Sequence, residues 1–313
     1  MKKIVIALGG NALQSKNGPS TAEGQLEVVK KTCEYIAQVC KMGHQIAVVH
    51  GNGPQVGRIL LSSETAKNVV PAMPFDVCGA MSQGYIGYHI QQSLRQSLED
   101  ANCAKNVVTL VTQVVVDSND PGFSNPTKPI GPFYTEEEAK QISVEKGYTV
   151  KEDAGRGWRR VVASPIPQRI VEIDAVKQLW ENTVVITCGG GGVPVAEDEN
   201  GRLSGVAAVI DKDFAAALLA NELDADMLVI LTEVEKVAIN FNKPNQQNLD
   251  YMSSEQAKKY IEEGHFAPGS MLPKVRAAMN FIEHNPKGKA IITSLDKVLP
   301  ALEGRTGTVI ENR

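Results

Sequence analysis

Five cysteines, Cys33, Cys40, Cys78, Cys103 and Cys188, are scattered through 313 residues without a Cys-x-x-Cys pair. A zinc ribbon is therefore excluded, and an odd number at irregular spacing argues against a disulfide framework, so a reducing, cytoplasmic compartment is expected. A basic excess is missing too. With a formal net charge of -4, the chain lacks the broad cationic face that nucleic acid or an anionic membrane surface would require. No apolar run is long enough to span a bilayer. The opening Met1-Lys2-Lys3 and the apolar residues after it imitate a signal peptide, but Gly9 interrupts the run early and no small-residue cleavage site follows. Two nucleotide fingerprints are absent as well. Gly9-Gly10-Asn11-Ala12-Leu13-Gln14 does not supply Gly-x-Gly-x-x-Gly, and there is no Gly-x-x-x-x-Gly-Lys-Ser/Thr loop. Internal repeats and low-complexity tracts are lacking.

What the chain does have is one pattern used three times: an apolar, β-branched run that breaks off into glycine. Ile4-Val5-Ile6-Ala7-Leu8 leads into Gly9-Gly10-Asn11, Ile46-Ala47-Val48-Val49-His50 into Gly51-Asn52-Gly53, and Val184-Val185-Ile186-Thr187-Cys188 into Gly189-Gly190-Gly191-Gly192. Glycines at the carboxyl ends of buried strands let backbone N–H groups approach an anion, and a following helix adds the positive end of its dipole. One such exit is an ordinary tight turn. Three together point to phosphate chemistry, with the anion gripped locally because the protein as a whole is acidic.

Between these exits, strand and helix patterns alternate. Leu26, Val29, Cys33, Ile36, Ala37 and Cys40 recur at helical spacing, which puts both cysteines on a core face, and Gly43 closes that helix. Pro54 suits the first turn of a helix carrying Val56, Ile59 and Leu60, and a third helix is predicted near Cys78 to Leu98. A single long strand is predicted from Val107 to Val116. Further helices are predicted near Glu172 to Glu181, Asp213 to Leu223, Ser254 to Glu263 and Leu272 to His284, with strands at Met227 to Thr232, Ala290 to Thr293 and Thr308 to Ile310. Short links and strands without strict alternation describe an α/β fold, an open twisted mostly parallel sheet with helices on both faces.

One stretch departs from this rhythm. Asp117 to Pro132 holds four prolines and two glycines, too stiff for a helix interior. A helix near Thr135 to Lys146 follows. Tyr148 to Val150 and Arg159 to Val162, joined through Gly155-Arg156-Gly157, then read as a hairpin, and Pro165 and Pro167 mark the return. Residues 117–167 are accordingly expected to form a small lid inserted into one domain spanning 1–313.

With no Walker lysine and no convincing His or paired-carboxylate site, positive charge must come from elsewhere. Lys128 lies in the proline-stiffened excursion, Lys212 in Ile210-Asp211-Lys212-Asp213 before a helix, and Lys274 behind Gly269-Ser270-Met271-Leu272-Pro273. A cation gains little at a helix N-terminus unless an anion is also there, which marks Lys212 and Lys274. Asp211 is either a helix N-cap or an organiser of an ammonium group. Cys188 is expected to be a small buried hydrophobe, His50 a hydrogen-bonded structural histidine, and Arg156, Trp158, Arg159 and Arg160 a hairpin surface or lid contact.

Ala7-Leu8-Gly9-Gly10-Asn11-Ala12-Leu13, His50 to Gly57, Asn125 to Pro132, Cys188 to Val195, Val209 to Asp213 and Gly269 to Lys274 together resemble the carbamate kinases of the amino acid kinase superfamily, along essentially the whole chain. The resemblance implies reversible phosphoryl transfer between ATP and carbamate, giving ADP and carbamoyl phosphate, with Mg²⁺, in a homodimer that makes ATP during arginine breakdown. It assigns Lys128, Lys212 and Lys274 to charge neutralisation and Asp211 to orienting them. Gly9, Gly10, Asn11, Gly51, Asn52 and Gly53 would hold carbamate and the transferring group. Nucleotide contacts would fall at Gly190, Thr232, Ala267, Met271 and Lys274, and no metal ligand is assigned. Acetylglutamate kinases carry a lysine where this chain has Ala7, so Lys128 would supply the charge missing there.

Two positions depart from the family pattern. Glu233 stands where Gly or Asp is usual and, with Glu235 close behind, adds acidity beside the nucleotide, and Asn242 stands where glycine is common, a turn that asparagine tolerates. A kinase for another small carboxylate, such as an acylated amino acid, and a non-catalytic sensor of carbamoyl phosphate or nucleotide remain the alternatives.

Overall fold

The computed structural model describes residues 1–15, 18–19, 21–153 and 155–312. The chain opens with β1 (Lys3–Leu8), α1 (Ala22–Lys41), β2 (Gln45–His50), α2 (Gly53–Thr65) and the long α3 (Phe75–Asp100). Next come β3 (Asn106–Thr109), β4 (Gln113–Val116), the single turn α4 (Pro121–Ser124), β5 (Lys128–Tyr134), α5 (Glu136–Lys146), β6 (Val150–Glu152), β7 (Trp158–Val162) and β8 (Pro167–Ile170). The alternation resumes with α6 (Ile173–Leu179), β9 (Thr183–Ile186), β10 (Val193–Glu197), β11 (Leu203–Gly205), α7 (Lys212–Glu222), β12 (Met227–Thr232), β13 (Val237–Ile239), β14 (Gln247–Leu249) and β15 (Tyr251–Ser253). It closes with α8 (Ser254–Glu262), α9 (Met271–His284), β16 (Lys289–Ser294), α10 (Val298–Leu302) and β17 (Thr308–Glu311).

Eight strands form the central sheet in the order β15-β17-β16-β12-β1-β2-β9-β3, parallel except where β17 meets β16. The alternation of side chains along its inner strands splits the core in two. Val5, Ala7, Ala47, Val49 and Val185 point to the face covered by α7 and α9, while Ile4, Ile6, Ile46, Val48 and Ile186 point to the face covered by α1 and α3. Both faces are dry, which explains why these strands read as continuous apolar runs. From β1 the chain crosses to β2 on one side, and β12 flanks β1 on the other. Such a reversal opens a crevice at the carboxyl ends of the two strands.

Gly43 follows α1 with φ +82°, and Asn242 adopts φ 59°, the left-handed geometry that each turn needs. The strand expected from Val107 to Val116 is in fact two. Gln83 grips the Thr112 backbone, its Oε1 accepting from the amide at 2.8 Å and its Nε2 donating to the carbonyl at 3.0 Å. The chain bends there, so that β3 ends the central sheet and β4 joins a second sheet, β11-β10-β4-β8. Both halves are apolar, which hid the bend in the sequence.

Between β4 and β8 the chain leaves the body. The proline-rich excursion contains one helical turn, α4, capped by Asp120 with Pro121 at its start, a position where proline is tolerated. Lys128 then begins β5, which adds a strand that the sequence had not suggested to the expected hairpin and makes the antiparallel sheet β5-β7-β6. This unit rests on α2 and α3 through a small apolar cluster of Val56, Leu60, Phe75, Cys78, Ile130, Val162 and Val209. The backbones of α2 and β5 pack tightly at Gly57, where a Cβ would lie 2.2 Å from the Cα and N of Gly131.

Candidate active site

The glycine exits meet along the carboxyl edge of the central sheet. At the first, a Cβ on Gly9 would come within 2.8 Å of Asn11 Oδ1 and 2.9 Å of the Leu231 carbonyl oxygen, so the turn is closed to larger residues. Asn11 Nδ2 donates to the Thr232 carbonyl at 3.4 Å and ties this exit to the end of β12. At the second, a Cβ on Gly51 would touch the Lys212 stem at 3.4 Å, and one on Gly53 would reach the Pro129 carbonyl at 4.0 Å. Exit, lysine and β5 therefore share one corner.

The third exit leans on the second. Gly190 has φ +68°, and a Cβ there would fall 2.2 Å from the Asn52 carboxamide. Asn52 Nδ2 in turn donates to Ser82 Oγ at 2.8 Å, and Ser82 donates to the Gly79 carbonyl at 2.6 Å. The Asn52 side chain is thus an internal brace. β9 stands three places from β12 in the sheet. Gly190 accordingly lies with Asn52, on the far side of the second exit from Thr232. Cys188 holds φ 50°, with its amide donating to Thr112 Oγ1 at 3.1 Å, and the Thr112 and Thr187 hydroxyls are 2.7 Å apart. Burial pushes its thiol up to about 12, so it is a packed hydrophobe.

His50 is buried behind the second exit. Its Nδ1 lies 2.9 Å from the Gly51 carbonyl, an acceptor, so Nδ1 carries the proton. Nε2 faces Gly189 and has no hydrogen-bond partner. Burial depresses the imidazole to about 4 despite the Gly51 bond, which keeps it neutral and structural.

Charge gathers at the start of α7. Asp211 caps the helix: one carboxylate oxygen accepts from the Asp213 amide at 2.9 Å, and the other takes Lys128 Nζ at 2.6 Å. Asp213, 3 % exposed, receives Lys212 on one oxygen and Lys274 on the other, the latter at 2.9 Å. Burial drives the Lys212 ammonium below its ordinary range, against the pull of Asp213. For Asp213 burial acts upward, but the Lys212 and Lys274 charges prevail and hold its carboxyl well below the carboxylate range. Burial would lower Lys274, yet Asp213 outweighs it and the ammonium is raised. Three ammonium groups against two carboxylates leave one positive charge at a helix N-terminus, an anion site.

Lys128, Lys212, Lys274 and Asp211 are thereby brought together beside Gly51, Asn52 and Gly53. Asp213 was not singled out from the sequence. Its signal was present in Asp211-Lys212-Asp213, where two carboxylates flank a lysine at a helix start. Ser82, Gln83 and Thr112, the braces behind the glycines, carried no such signal.

On the other side of the crevice, the Ala267 carbonyl accepts from the Ser270 and Leu272 amides at 3.2 and 3.1 Å. This turn starts α9 at Met271 and sets Lys274 in its first turn. Glu235 engages the Thr306 hydroxyl, and Lys236 pairs with Asp250 at 2.5 Å, while Glu233 lines a cleft of 330 Å³ with Asn11, Lys31 and Asp296. Among the described residues no three His, Cys, Asp or Glu side chains are grouped as a metal would need. Among the same described residues no helix is long and apolar enough to cross a membrane.

A profile of the amino acid kinase family matches residues 2–294. The chain is 57% identical to a carbamate kinase of Clostridium perfringens over 312 residues, covering 98% of this chain and 99% of the relative. It is 56% identical to a carbamate kinase-like protein of Escherichia coli, with 99% of each covered. The structure of the Giardia lamblia carbamate kinase bound to AMP-PNP superposes with a TM-score of 0.92 at 45% identity, covering 100% of this chain and 99% of that one.

Proposed function

The chain belongs to the amino acid kinase family, and from that premise we infer that it catalyses reversible phosphoryl transfer between ATP and carbamate, giving ADP and carbamoyl phosphate. The observation that carries the reading is the convergence of Lys128, Lys212 and Lys274 on Asp211 and Asp213 at the start of α7, against Gly51. Phosphoryl transfer asks mainly for positioning and for neutralisation of spreading charge. Carbamate arrives as an anion, so its attacking oxygen needs no general base, in keeping with a neutral, buried His50.

In this mechanism the N–H groups of Gly10, Asn11, Asn52 and Gly53 receive the acceptor and the moving phosphoryl group, while Gly51, whose own N–H donates to the Leu8 carbonyl at 3.3 Å, leaves room for them by lacking a side chain. Lys212 approaches from beneath Gly51, Lys274 from α9 and Lys128 from above. A buried ammonium that is costly to keep charged gains most from an anion beside it. Asp211 and Asp213 hold the three charges apart and in place. ADP lies over Thr232, Ala267 and Met271, with Lys274 bridging to its terminal phosphate. Mg²⁺ fits this site as a passenger on the nucleotide phosphates, because both carboxylates are already taken by lysines and hard, hydrated Mg²⁺ readily accepts phosphate and water as ligands. When bound, it supplies further neutralisation of phosphate charge.

Residues 117–167 act as the lid that delivers Lys128. The enzyme works as a homodimer in the cytoplasm, making ATP in arginine catabolism. The exposed apolar residues Val77, Met81 and Tyr88 along α3 offer the dimer face, and four of five cysteines being buried thiols suits a reducing compartment. A coupled assay for ATP formed from ADP and carbamoyl phosphate with Mg²⁺ tests the reading. Folded protein without this activity would overturn it. Lys128→Ala should lose turnover far more than thermal stability; wild-type turnover would remove Lys128 from the catalytic set.

A further inference from the structure

α2 touches the site and the lid with opposite ends. Its first residue, Gly53, belongs to the second glycine exit, and Glu64 lies in its last turn. Eleven residues on, about 16 Å along the axis, the Glu64 carboxylate meets three side chains from the lid, two as hydrogen-bond donors and Arg160 as an ion pair. Lys146 Nζ stands at 2.8 Å, Arg160 Nη1 at 3.5 Å, and the Tyr148 hydroxyl donates to Oε1. Glu64 is 17% exposed and Arg160 is 18% exposed, so this is not a loose surface pair.

Arg160 has few other places to put its charge. Its guanidinium stacks on the Tyr148 ring at 3.5 Å and faces the Phe75 ring at 5.7 Å, one aromatic from the lid and one from the body. Its Nη1 is buried without a hydrogen bond. An ion so enclosed depends on the carboxylate opposite it. Arg160 is also the register partner of Ile130 on β5, two residues from Lys128. The sheet therefore transmits the position of Arg160 to Lys128.

We propose that Glu64 is a positioning residue for phosphoryl transfer, pinning the lid to α2 so that Lys128 is held at Asp211. The Gly57 contact sets how closely the lid lies, and Glu64 sets where along the helix it docks. This role rests on the lid lysine serving the carbamate reaction, and it adds a residue that never touches substrate.

The test is a double-mutant cycle of Glu64→Gln with Lys128→Ala, read by turnover, together with hydrogen exchange of the lid amides. Glutamine keeps the size and an acceptor for Tyr148 while removing the charge. Glu64→Gln should lower kcat about tenfold or more, as loss of catalytic positioning does, with the KM for ADP nearly unchanged and faster exchange over residues 128–162. In the Lys128→Ala background the same change should have less than about a twofold effect. An equal loss in both backgrounds, a loss confined to thermal stability, or wild-type kcat with unchanged lid exchange would overturn the role. If the wild type shows no carbamoyl phosphate turnover, the functional reading fails instead, and lid exchange alone decides whether Glu64 is the anchor.

Discussion

Replacing Gly57 by alanine puts a methyl group 2.2 Å from the Cα and amide nitrogen of Gly131. Both neighbours are backbone atoms, so no rotamer change relieves the clash. Moving from 2.2 Å to the 3.4 Å of ordinary contact parts α2 from β5 by about 1.2 Å. Lys128 lies three residues away on the same strand, and its ammonium sits 2.6 Å from Asp211. A shift of that size carries it beyond hydrogen-bonding distance. Misplacing a catalytic group by roughly 1 Å costs on the order of 100-fold in rate. Stability should move much less, because overpacking costs about 1–3 kcal/mol whereas alanine in place of glycine inside a helix returns about 1 kcal/mol. Initial rates of ATP formation and calorimetric Tm on the same preparation separate the two effects. Full turnover by a folded Gly57→Ala protein would refute the idea that a close-docked lid carries the working lysine.

Asp213→Asn leaves Lys212 and Lys274 facing each other without their shared carboxylate, and should cost about 3 kcal/mol or more of stability, as breaking a buried ion pair does. Inorganic phosphate should recover part of that loss in urea titrations by sitting between the two ammonium groups; no recovery would count against an anion site there. His50 titrates near 4 when folded against an ordinary 6.5, so the unfolded chain binds the extra proton first. Its contribution is therefore complete above pH 6.5 and is lost as pH falls toward 4, about 3 kcal/mol in all. Urea midpoints of wild type and His50→Gln at pH 4.5 and 7 should diverge in that sense, and parallel curves would argue against a neutral buried imidazole. The Asp213 carboxyl, held low, acts in the same direction only below the ordinary carboxylate range.

The parts of the molecule that depend on neighbours in sequence were legible in the residues themselves. β-branched runs ending in glycine located three strand exits, helical spacing placed Cys33 and Cys40 in the core, and Met227–Thr232 emerged as a strand with the ends expected for it. The bend at Thr112 was not legible, since a side chain from α3, 29 positions earlier, makes it. Nor was the third strand of the lid, because proline-rich β5 lacks the pattern of a strand and is held by its pairing with β7.

Chemistry divides along the same line. Residue type and local spacing by themselves pointed to phosphate chemistry, to glycine turns as the place for the anion, and to lysines outside any Walker loop as the source of positive charge. Which lysines meet, and on what, only the tertiary structure decided: Lys128 reaches Asp211 across 83 positions and Lys274 reaches Asp213 across 61. Glu64 joins Tyr148 across 84. Backbone propensity acts over a few residues, whereas the order of strands in the sheet and the docking of the lid set these distances, and charges act on whatever the fold brings near.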